Sequence, residues 1–325
     1  MGTLFFELPS EDQQRSLTAF ASDLLKNYGI HDAKISCINF EFNATFSVET
    51  DSGTKYALRI NINSTRTVEN MKGEIEWVRH LNRTSGIHTP TPIATLNDNY
   101  IISGFHADSN QTLHAVMYSW LEGEELGDEP TDAQLERVGA AMARMHEAAE
   151  NLNFSPRSEL PQLRDPLWLT QNLLTGHNPM LDEAAQARVG LALNFIDHVI
   201  GALYQRDSVR PIHADMHGWN LMWHGETLSV FDFDDSGIGL PIQDIFTSIY
   251  YLDTEDQEKA LLTGYQSVRK LPEYSEYDRE ALLLQRRLIL LNSLYETSTP
   301  SLREMLPKYL DESLKRVEKF LALAF

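Results

Sequence analysis

Residues 211–221 read Pro211-Ile-His-Ala-Asp-Met-His-Gly-Trp-Asn-Leu221, and residues 228–239 read Leu228-Ser-Val-Phe-Asp-Phe-Asp-Asp-Ser-Gly-Ile-Gly239. These two stretches hold the densest cluster of acidic, imidazole and amide side chains in the chain. Between them, His224-Gly225 is a turn signal flanked by apolar residues. This pattern predicts a β-hairpin formed by residues 221–223 and 228–231.

The register of this predicted hairpin brings separated residues together. If residue 223 faces residue 228, then residue 220 lies opposite residue 231, and a slip would shift these partners by one position. Asn220 and Asp232 then meet at the open end of the hairpin, within about 5–8 Å of each other. Asp215 precedes them on a loop that we expect to face the same space.

An amide oxygen and a carboxylate at one point suit magnesium, which takes oxygen ligands and usually only one or two of them from protein. We therefore predict Asn220 and Asp232 as metal ligands. The remaining carboxylate, Asp215, is then free to accept the proton of an attacking hydroxyl group, which is worth about 10²–10⁴-fold in rate.

Three neighbouring side chains are predicted to support this site. We expect His213 to bond backbone groups and brace the loop. For His217, a role beside Asp232 and direct contact with the substrate are equally compatible with the sequence. For Asp234, binding of the metal or of a cationic substrate and a place in a solvated acidic turn are both compatible with the sequence.

Outside this segment, the residue pattern changes from strand-rich to helix-rich near residues 119–128. Residues 35–40, 45–48, 56–60, 100–104 and 113–120 are predicted strands, whereas residues 68–81, 181–205 and the chain from about 255 onward are predicted helices. Capping boxes are predicted at Ser10 with Gln13 and at Thr131 with Gln134. The fold class is therefore α+β, with a lobe at residues 1–120 that carries an antiparallel sheet and a larger, mainly helical lobe at residues 121–325.

The motifs His213-x-Asp215-x-His217-x-x-Asn220 and Asp232-Phe-Asp-Asp-x-Gly237 resemble those of the aminoglycoside phosphotransferase and choline kinase-like family. Pro241 with Asp244 resembles the start of the helix that follows in that family. The resemblance implies a bilobal protein-kinase-like fold, Asp215 as catalytic base, and ATP with Mg²⁺ as cofactors. It also implies transfer of the γ-phosphate to a hydroxyl of a small molecule.

The resemblance extends to the first lobe and implies a set of nucleotide-binding residues there. Arg59 stands at the strand position of the phosphate-contacting cation, where lysine is expected, and Glu74 at that of its helix partner. Residues 43–48 resemble the hairpin that covers the nucleotide, although the glycine-rich pattern is absent, and residues 117–123 resemble the hinge that contacts adenine. The residues assigned to nucleotide binding are Arg59, Glu74, Asn43, Tyr118, Trp120 and Leu121.

Composition narrows the class of partner. The chain has 27 basic and 47 acidic residues and a net charge of −20, which disfavours non-specific binding of nucleic acid. No stretch reads as a signal peptide or membrane span, and Cys37 is the only cysteine, so the sequence predicts no membrane association and a cytoplasmic setting. An amino alcohol, amino acid or amino sugar is the candidate acceptor, with Tyr250, Tyr251 and Trp219 as candidate contacts.

Three other functions remain open at this point. A metal-dependent hydrolase would use His213, Asp215 and His217 as zinc ligands, since alternate residues of a strand share a face. A nucleotide-binding regulator with weak catalysis would explain Arg59 and the missing glycines. A protein Ser/Thr kinase would keep the same chemistry, although the short segment at 239–244 leaves no activation loop and favours a small acceptor.

Overall fold

The computed structural model of the chain describes residues 5–176, 180–297 and 300–324, and the other positions of the two predicted lobes lie outside the described residues. The chain forms two compact units, Met1–Gly123 with Asn153–Glu159, and Glu124–Leu152 with Leu160–Phe325. The predicted division after residue 120 treats each lobe as one uninterrupted segment, and it stays a prediction.

The first unit is built on an antiparallel sheet, as the sequence predicts. Its strands are β1 Ala33–Phe40, β2 Asn43–Thr50, β3 Lys55–Asn61, β4 Pro92–Ile93, β5 Ile101–His106 and β6 Gln111–Ser119. The order is β1-β2-β3-β6-β4, with β5 also paired to β6. Strand β4 has only two residues, which is too short for an alternating pattern, and the sequence did not predict it.

Two helices belong to this unit, α1 Ser10–Leu25 and α2 Val68–Thr84, with 3₁₀ turns at Phe5–Glu7 and Lys26–Tyr28. The apolar side of α1, which includes Leu17, packs with Phe46 and Leu58 of the sheet in one buried cluster. The capping box predicted at Ser10 is wrong, because Pro9 is the N-cap residue. Gln13 instead donates its side-chain amide to the Leu8 carbonyl at 2.8 Å.

Helices dominate the second unit. They are α3 Asp132–Ala149, α4 Glu183–Arg206, α5 Pro241–Ile249, α6 Glu255–Gln266, α7 Glu276–Glu296 and α8 Pro300–Ala324. The predicted capping box of Thr131 and Gln134 is confirmed at the start of α3. Pro241 occupies the first turn of α5, where its missing N–H costs nothing. Within the described residues, no helix has the length and apolar character needed to cross a membrane.

Short strands in the second unit position the reactive segment. They are β7 Glu124–Glu125, β8 Arg210–Ile212, β9 Leu221–His224, β10 Thr227–Val230 and β11 Gly237–Gly239. Strand β9 lies between β10 and β7, and β8 pairs with β11. Leu228 faces Trp223, so the predicted hairpin register is confirmed. The Phe231 N–H then donates to the Asn220 carbonyl at 3.1 Å and extends the pairing by one residue.

Candidate active site

The loop that follows β8 is held in shape by a buried carboxylate. Asp244 of α5 accepts the backbone N–H of His213 at 3.2 Å and that of Ala214 at 2.8 Å. Ala214 has φ of 67°, a left-handed conformation that non-glycine residues adopt only when their surroundings hold them. Asp244 also bonds the buried His146 of α3 at 2.9 Å, so three elements converge behind the loop.

His213 braces the loop from inside. Its Nε2 bonds the Phe231 carbonyl at 2.9 Å, and its Nδ1 accepts the Asp215 N–H at 3.2 Å. Burial lowers the pKa of His213 although Asp244 and Asp215 are nearby, so the ring is held neutral. Because both ring nitrogens bond backbone groups, His213 cannot serve as a zinc ligand in this arrangement, which argues against the hydrolase hypothesis.

Asp215 presents its two carboxylate oxygens to different partners. The Oδ2 atom lies 3.2 Å from the Asn220 Nδ2 and 3.4 Å from the His217 Nε2. The Oδ1 atom forms an ion pair with Arg286 of α7. Burial alone would raise the pKa of Asp215, but the charge of Arg286 and the hydrogen bond with His217 outweigh it and hold that pKa well below its usual value. Asp215 is therefore a carboxylate throughout the neutral pH range.

The two predicted metal ligands both lie at the open end of the hairpin. Asn220, in the 3₁₀ turn Gly218–Asn220, donates its side-chain nitrogen to the backbone carbonyl of Asp215 at 2.8 Å, which orients the amide. The Asn220 side-chain oxygen is therefore available as a metal ligand. Asp232, at φ 58°, follows Phe231, the residue that pairs with Asn220. One amide oxygen and one carboxylate fit magnesium.

The remaining predicted supporting residues lie close by. His217 touches Asp215 and Asn220, and its ring packs on Tyr251 with 4.6 Å between centroids. Asp234 is two residues beyond Asp232 and is half-buried. Trp219 is half-exposed and donates its indole N–H to Asp128 at 2.7 Å.

In the first unit, Arg59 and Glu74 form a buried ion pair. The Arg59 Nη2 lies 2.5 Å from the Glu74 Oε2, and Tyr118 donates its hydroxyl to the other oxygen at 2.8 Å. The Arg59 guanidinium also lies over the Tyr118 ring, at 5.7 Å from its centroid. The structure thus brings together three of the six predicted nucleotide-binding residues.

The other three lie elsewhere in the same unit. Asn43 begins β2 opposite Asn61, and Thr45, two residues on, faces Arg59 of β3. Asn43 therefore shares the Arg59 face of the sheet, because alternate residues of a strand point to one side. Trp120 and Leu121 follow β6 and are partly exposed.

Arg286, which no sequence motif indicated, lies beside Asp215 in the site. It is buried on α7 and contacts Asp215 across 71 positions of the chain. A signal existed, because Arg286 and Arg287 interrupt the apolar run from Leu282 to Leu291. A buried arginine needs a partner, but the helical pattern alone does not identify which carboxylate supplies it.

Comparison with known proteins identifies the family of this chain. The sequence profile of the APH phosphotransferase enzyme family matches residues 41–283. Homoserine kinase of Janthinobacterium sp. (strain Marseille) is 30% identical over 275 residues, which cover 81% of this chain and 80% of that protein.

Solved structures show the same fold. A microcompartment-associated aminopropanol kinase superposes with a TM-score of 0.77 at 21% identity, covering 94% of this chain and 97% of that one. The amicoumacin kinase hAmiN, in complex with AMP-PNP, Ca²⁺ and Ami, gives 0.74 at 18% identity and covers 95% and 96% of the two chains. The expected kinase-like fold is thereby confirmed. Because the profile covers the hairpin, the loop after β8 and strand β3 with Arg59, this chain belongs to the APH phosphotransferase enzyme family.

Proposed function

We propose that this phosphotransferase moves the γ-phosphate of ATP, with Mg²⁺, to a hydroxyl group of a small molecule, and that Asp215 is the base. The observation that carries the proposal is the contact of Asp215 with Asn220. Asn220 in turn pairs with Phe231, the residue before Asp232. A carboxylate beside a pair of oxygen ligands is the minimum that phosphoryl transfer to an alcohol requires.

In the proposed reaction, the acceptor oxygen attacks the γ-phosphorus and forms a new O–P bond. The bond from the γ-phosphorus to the bridging oxygen breaks, and its electron pair leaves on ADP. Asp215 takes the hydroxyl proton, and His213 keeps the loop fixed during the step. Asn220 and Asp232 would hold the magnesium, which when bound neutralises phosphate charge.

We assign the nucleotide to the first unit. Arg59 would contact the phosphates, with Glu74 and Tyr118 fixing the orientation of its guanidinium. Asn43 would lie under the phosphates, and the backbone of residues 118–121 would bond the adenine. The relative hAmiN, which shares the fold, was solved with an ATP analogue and a divalent cation.

The acceptor is proposed to be an amino alcohol, amino acid or amino sugar. The printed names of the relatives, homoserine kinase and aminopropanol kinase, fit such small amine-bearing alcohols. The net charge of −20 is compatible with a cationic group and disfavours nucleic acid. A single cysteine, which allows no intrachain disulfide, is compatible with the proposed cytoplasmic setting.

The test is ADP release from Mg-ATP by the purified full chain, measured against a panel of amino alcohols, hydroxy amino acids and aminoglycosides. Mass spectrometry of the products should identify one phosphorylated acceptor. Label from ATP that appears on added proteins but on no panel member would favour the protein kinase alternative. Thermal stabilisation by Mg-ATP without any transfer would favour the weakly catalytic regulator.

A further inference from the structure

The two oxygens of the Asp215 carboxylate contact different groups. Its Oδ2 faces Asn220, which is a predicted metal ligand, and His217. Its Oδ1 faces Arg286, which also donates to the Tyr251 hydroxyl at 2.6 Å. A hydroxyl attacking in line must approach from the side away from the leaving phosphates, and Arg286 with Tyr251 lies at the Asp215 oxygen that does not contact Asn220.

Arg286 has hydrogen-bonding capacity that the protein does not use. Its side chain is only 4% exposed, and both of its hydrogen bonds are made by Nη2. Its Nε is buried and has no hydrogen-bond partner among the described residues. An unpaired buried donor on a cation costs more than one on a neutral group, so the arrangement favours a ligand that brings an acceptor oxygen.

A second buried donor stands beside the guanidinium. The Trp168 ring centroid lies 5.7 Å from the Arg286 Cζ, and Trp168 is 9% exposed. The indole Nε1 of Trp168 is also buried without a hydrogen-bond partner among the described residues. Since indole N–H and guanidinium are donors only, the group that satisfies them must be an acceptor.

The loop that carries Trp168 has an unusual backbone. Trp168 and Leu169 have φ of 53° and 65°, so two consecutive non-glycine residues are left-handed. The Asp165 carboxylate accepts the N–H groups of Leu167 and Leu169 at 2.9 and 3.2 Å and holds the turn. Such conformations cost about 1–3 kcal/mol each and concentrate at ligand sites.

We infer that Arg286 and the indole N–H of Trp168 bind a carboxylate of the phosphate acceptor, which is therefore a hydroxy acid, with hydroxy amino acids as the leading class. A carboxylate is planar, anionic and able to take two N–H groups of a guanidinium. This inference rests on the proposed function, because it names the substrate of the same site.

The same contact connects acceptor binding to the base. A bound carboxylate competes with Asp215 for Arg286 and frees Oδ1 to take the hydroxyl proton. An acceptor without a carboxylate leaves Asp215 in its ion pair, and the base is then engaged when the hydroxyl arrives. Selectivity for hydroxy acids should therefore be visible in kcat as well as in KM.

Pairs of acceptors that differ only by the carboxylate give the sharpest experiment. Homoserine and 3-aminopropan-1-ol form one such pair, and threonine and 1-aminopropan-2-ol form another. We expect the full chain to phosphorylate the carboxylate member of at least one pair with a kcat/KM higher by roughly 10²–10³-fold, the range for a buried charged contact.

Variants then locate the selectivity. Arg286→Gln should abolish most of the preference, and Arg286→Lys should retain only part of it, because lysine keeps the charge but lacks the fork. Arg287→Gln is the matched control. Arg287 is the next residue on α7 and is equally buried, but it bonds Ser313, Glu312 and the Tyr250 hydroxyl instead of Asp215, so its loss should leave the preference between the two acceptors unchanged.

The possible results separate the two claims. Phosphorylation only of acceptors that lack a carboxylate, or an unchanged preference in Arg286→Gln, would overturn the inference and leave the proposed function standing. If no acceptor of the wider panel gives ADP release, both the proposed function and the inference are overturned. A preference that Arg287→Gln removes as strongly as Arg286→Gln would also contradict the assignment.

Discussion

Asp244 holds the backbone of Ala214 in a left-handed conformation through a 2.8 Å hydrogen bond that spans 30 residues of sequence. This contact determines where Asp215, the next residue, can point. Asp244 is fully buried and also bonds His146, whose other nitrogen contacts the Tyr265 hydroxyl at 2.9 Å. The position of the proposed base is therefore determined by a chain of buried polar contacts in the second unit.

Removing the Asp244 carboxylate should destabilise the second unit. Asp244→Ala leaves the N–H groups of His213 and Ala214 and the His146 ring without their partner, and breaking a buried network of this kind costs about 3–5 kcal/mol. Urea unfolding followed by tryptophan fluorescence measures this loss. Asp253→Ala, at an exposed aspartate, should change stability by less than about 0.5 kcal/mol. Equal stabilities of the two variants would refute the role of Asp244.

The stabilising effect of Asp244 should depend on pH in a defined direction. Burial alone would raise the pKa of Asp244, but the hydrogen bonds with the His146 side chain and with the Ala214 N–H lower it below its ordinary value. The folded protein therefore keeps this carboxylate charged when the unfolded chain begins to protonate it, near pH 3.9. The contribution of Asp244 to the free energy of unfolding is complete above that pH. It is lost as the pH falls through the lower pKa that Asp244 has in the folded protein.

The measurement is the difference in unfolding free energy between the wild type and Asp244→Asn from pH 6 to pH 3. The difference should be constant in the upper part of this range and shrink below about pH 4. The asparagine variant is the right reference, because it keeps the shape and cannot titrate. A difference that grows as the pH falls would contradict the assigned direction.

Asp215→Asn should abolish most phosphoryl transfer while the fold persists. Asparagine keeps an oxygen for Arg286 but cannot accept the hydroxyl proton, so kcat should fall by about 10²–10⁴-fold. ADP release with the preferred acceptor gives the rate, and a thermal melt checks folding. Asp256→Asn, on the exposed first turn of α6, is the control and should retain full activity. An unchanged kcat in Asp215→Asn would refute its assignment as base.

Asp232→Asn should weaken the use of magnesium. The substitution removes the charged oxygen ligand, and loss of even an indirect partner of a metal costs about 10–100-fold in affinity. The Mg²⁺ concentration that gives half-maximal activity should therefore increase at least tenfold at saturating nucleotide. Asp253→Asn serves as the control at an exposed site. A metal dependence identical to that of the wild type would remove Asp232 from the site.

Arg59→Ala should raise the KM for ATP and destabilise the first unit together. The substitution removes the proposed phosphate contact and leaves the Glu74 carboxylate buried without its cation, which costs about 3–5 kcal/mol. Arg79→Ala is the control, because Arg79 is a partly exposed cation of α2 that packs on the Tyr100 ring. Loss of stability without any change in KM would leave Arg59 with a structural role only.

The sequence predicted the parts of the site that depend on local chain geometry. The turn at His224-Gly225 fixed the register of β9 and β10, and so it placed Asn220 opposite Phe231, the residue before Asp232. The β-branched and aromatic residues of β2 and the turn signal before β3 likewise predicted the sheet that carries Arg59. The capping box predicted at Ser10 does not form. Pro9 is the N-cap residue of the helix, and the Gln13 side chain bonds the Leu8 carbonyl instead.

Contacts between distant segments were decided only by the tertiary structure. Arg286, Trp168 and Asp215 come from three separate parts of the chain, and no local period relates them. A sequence pattern indicates which face of a helix or strand is apolar. The partner of a buried charged side chain depends instead on which oppositely charged residue the tertiary packing places within a few ångströms. The sequence by itself therefore determined the family and the hairpin and singled out Asp215 as the candidate base, and the packing of α7 against the loop decided which cation faces that residue.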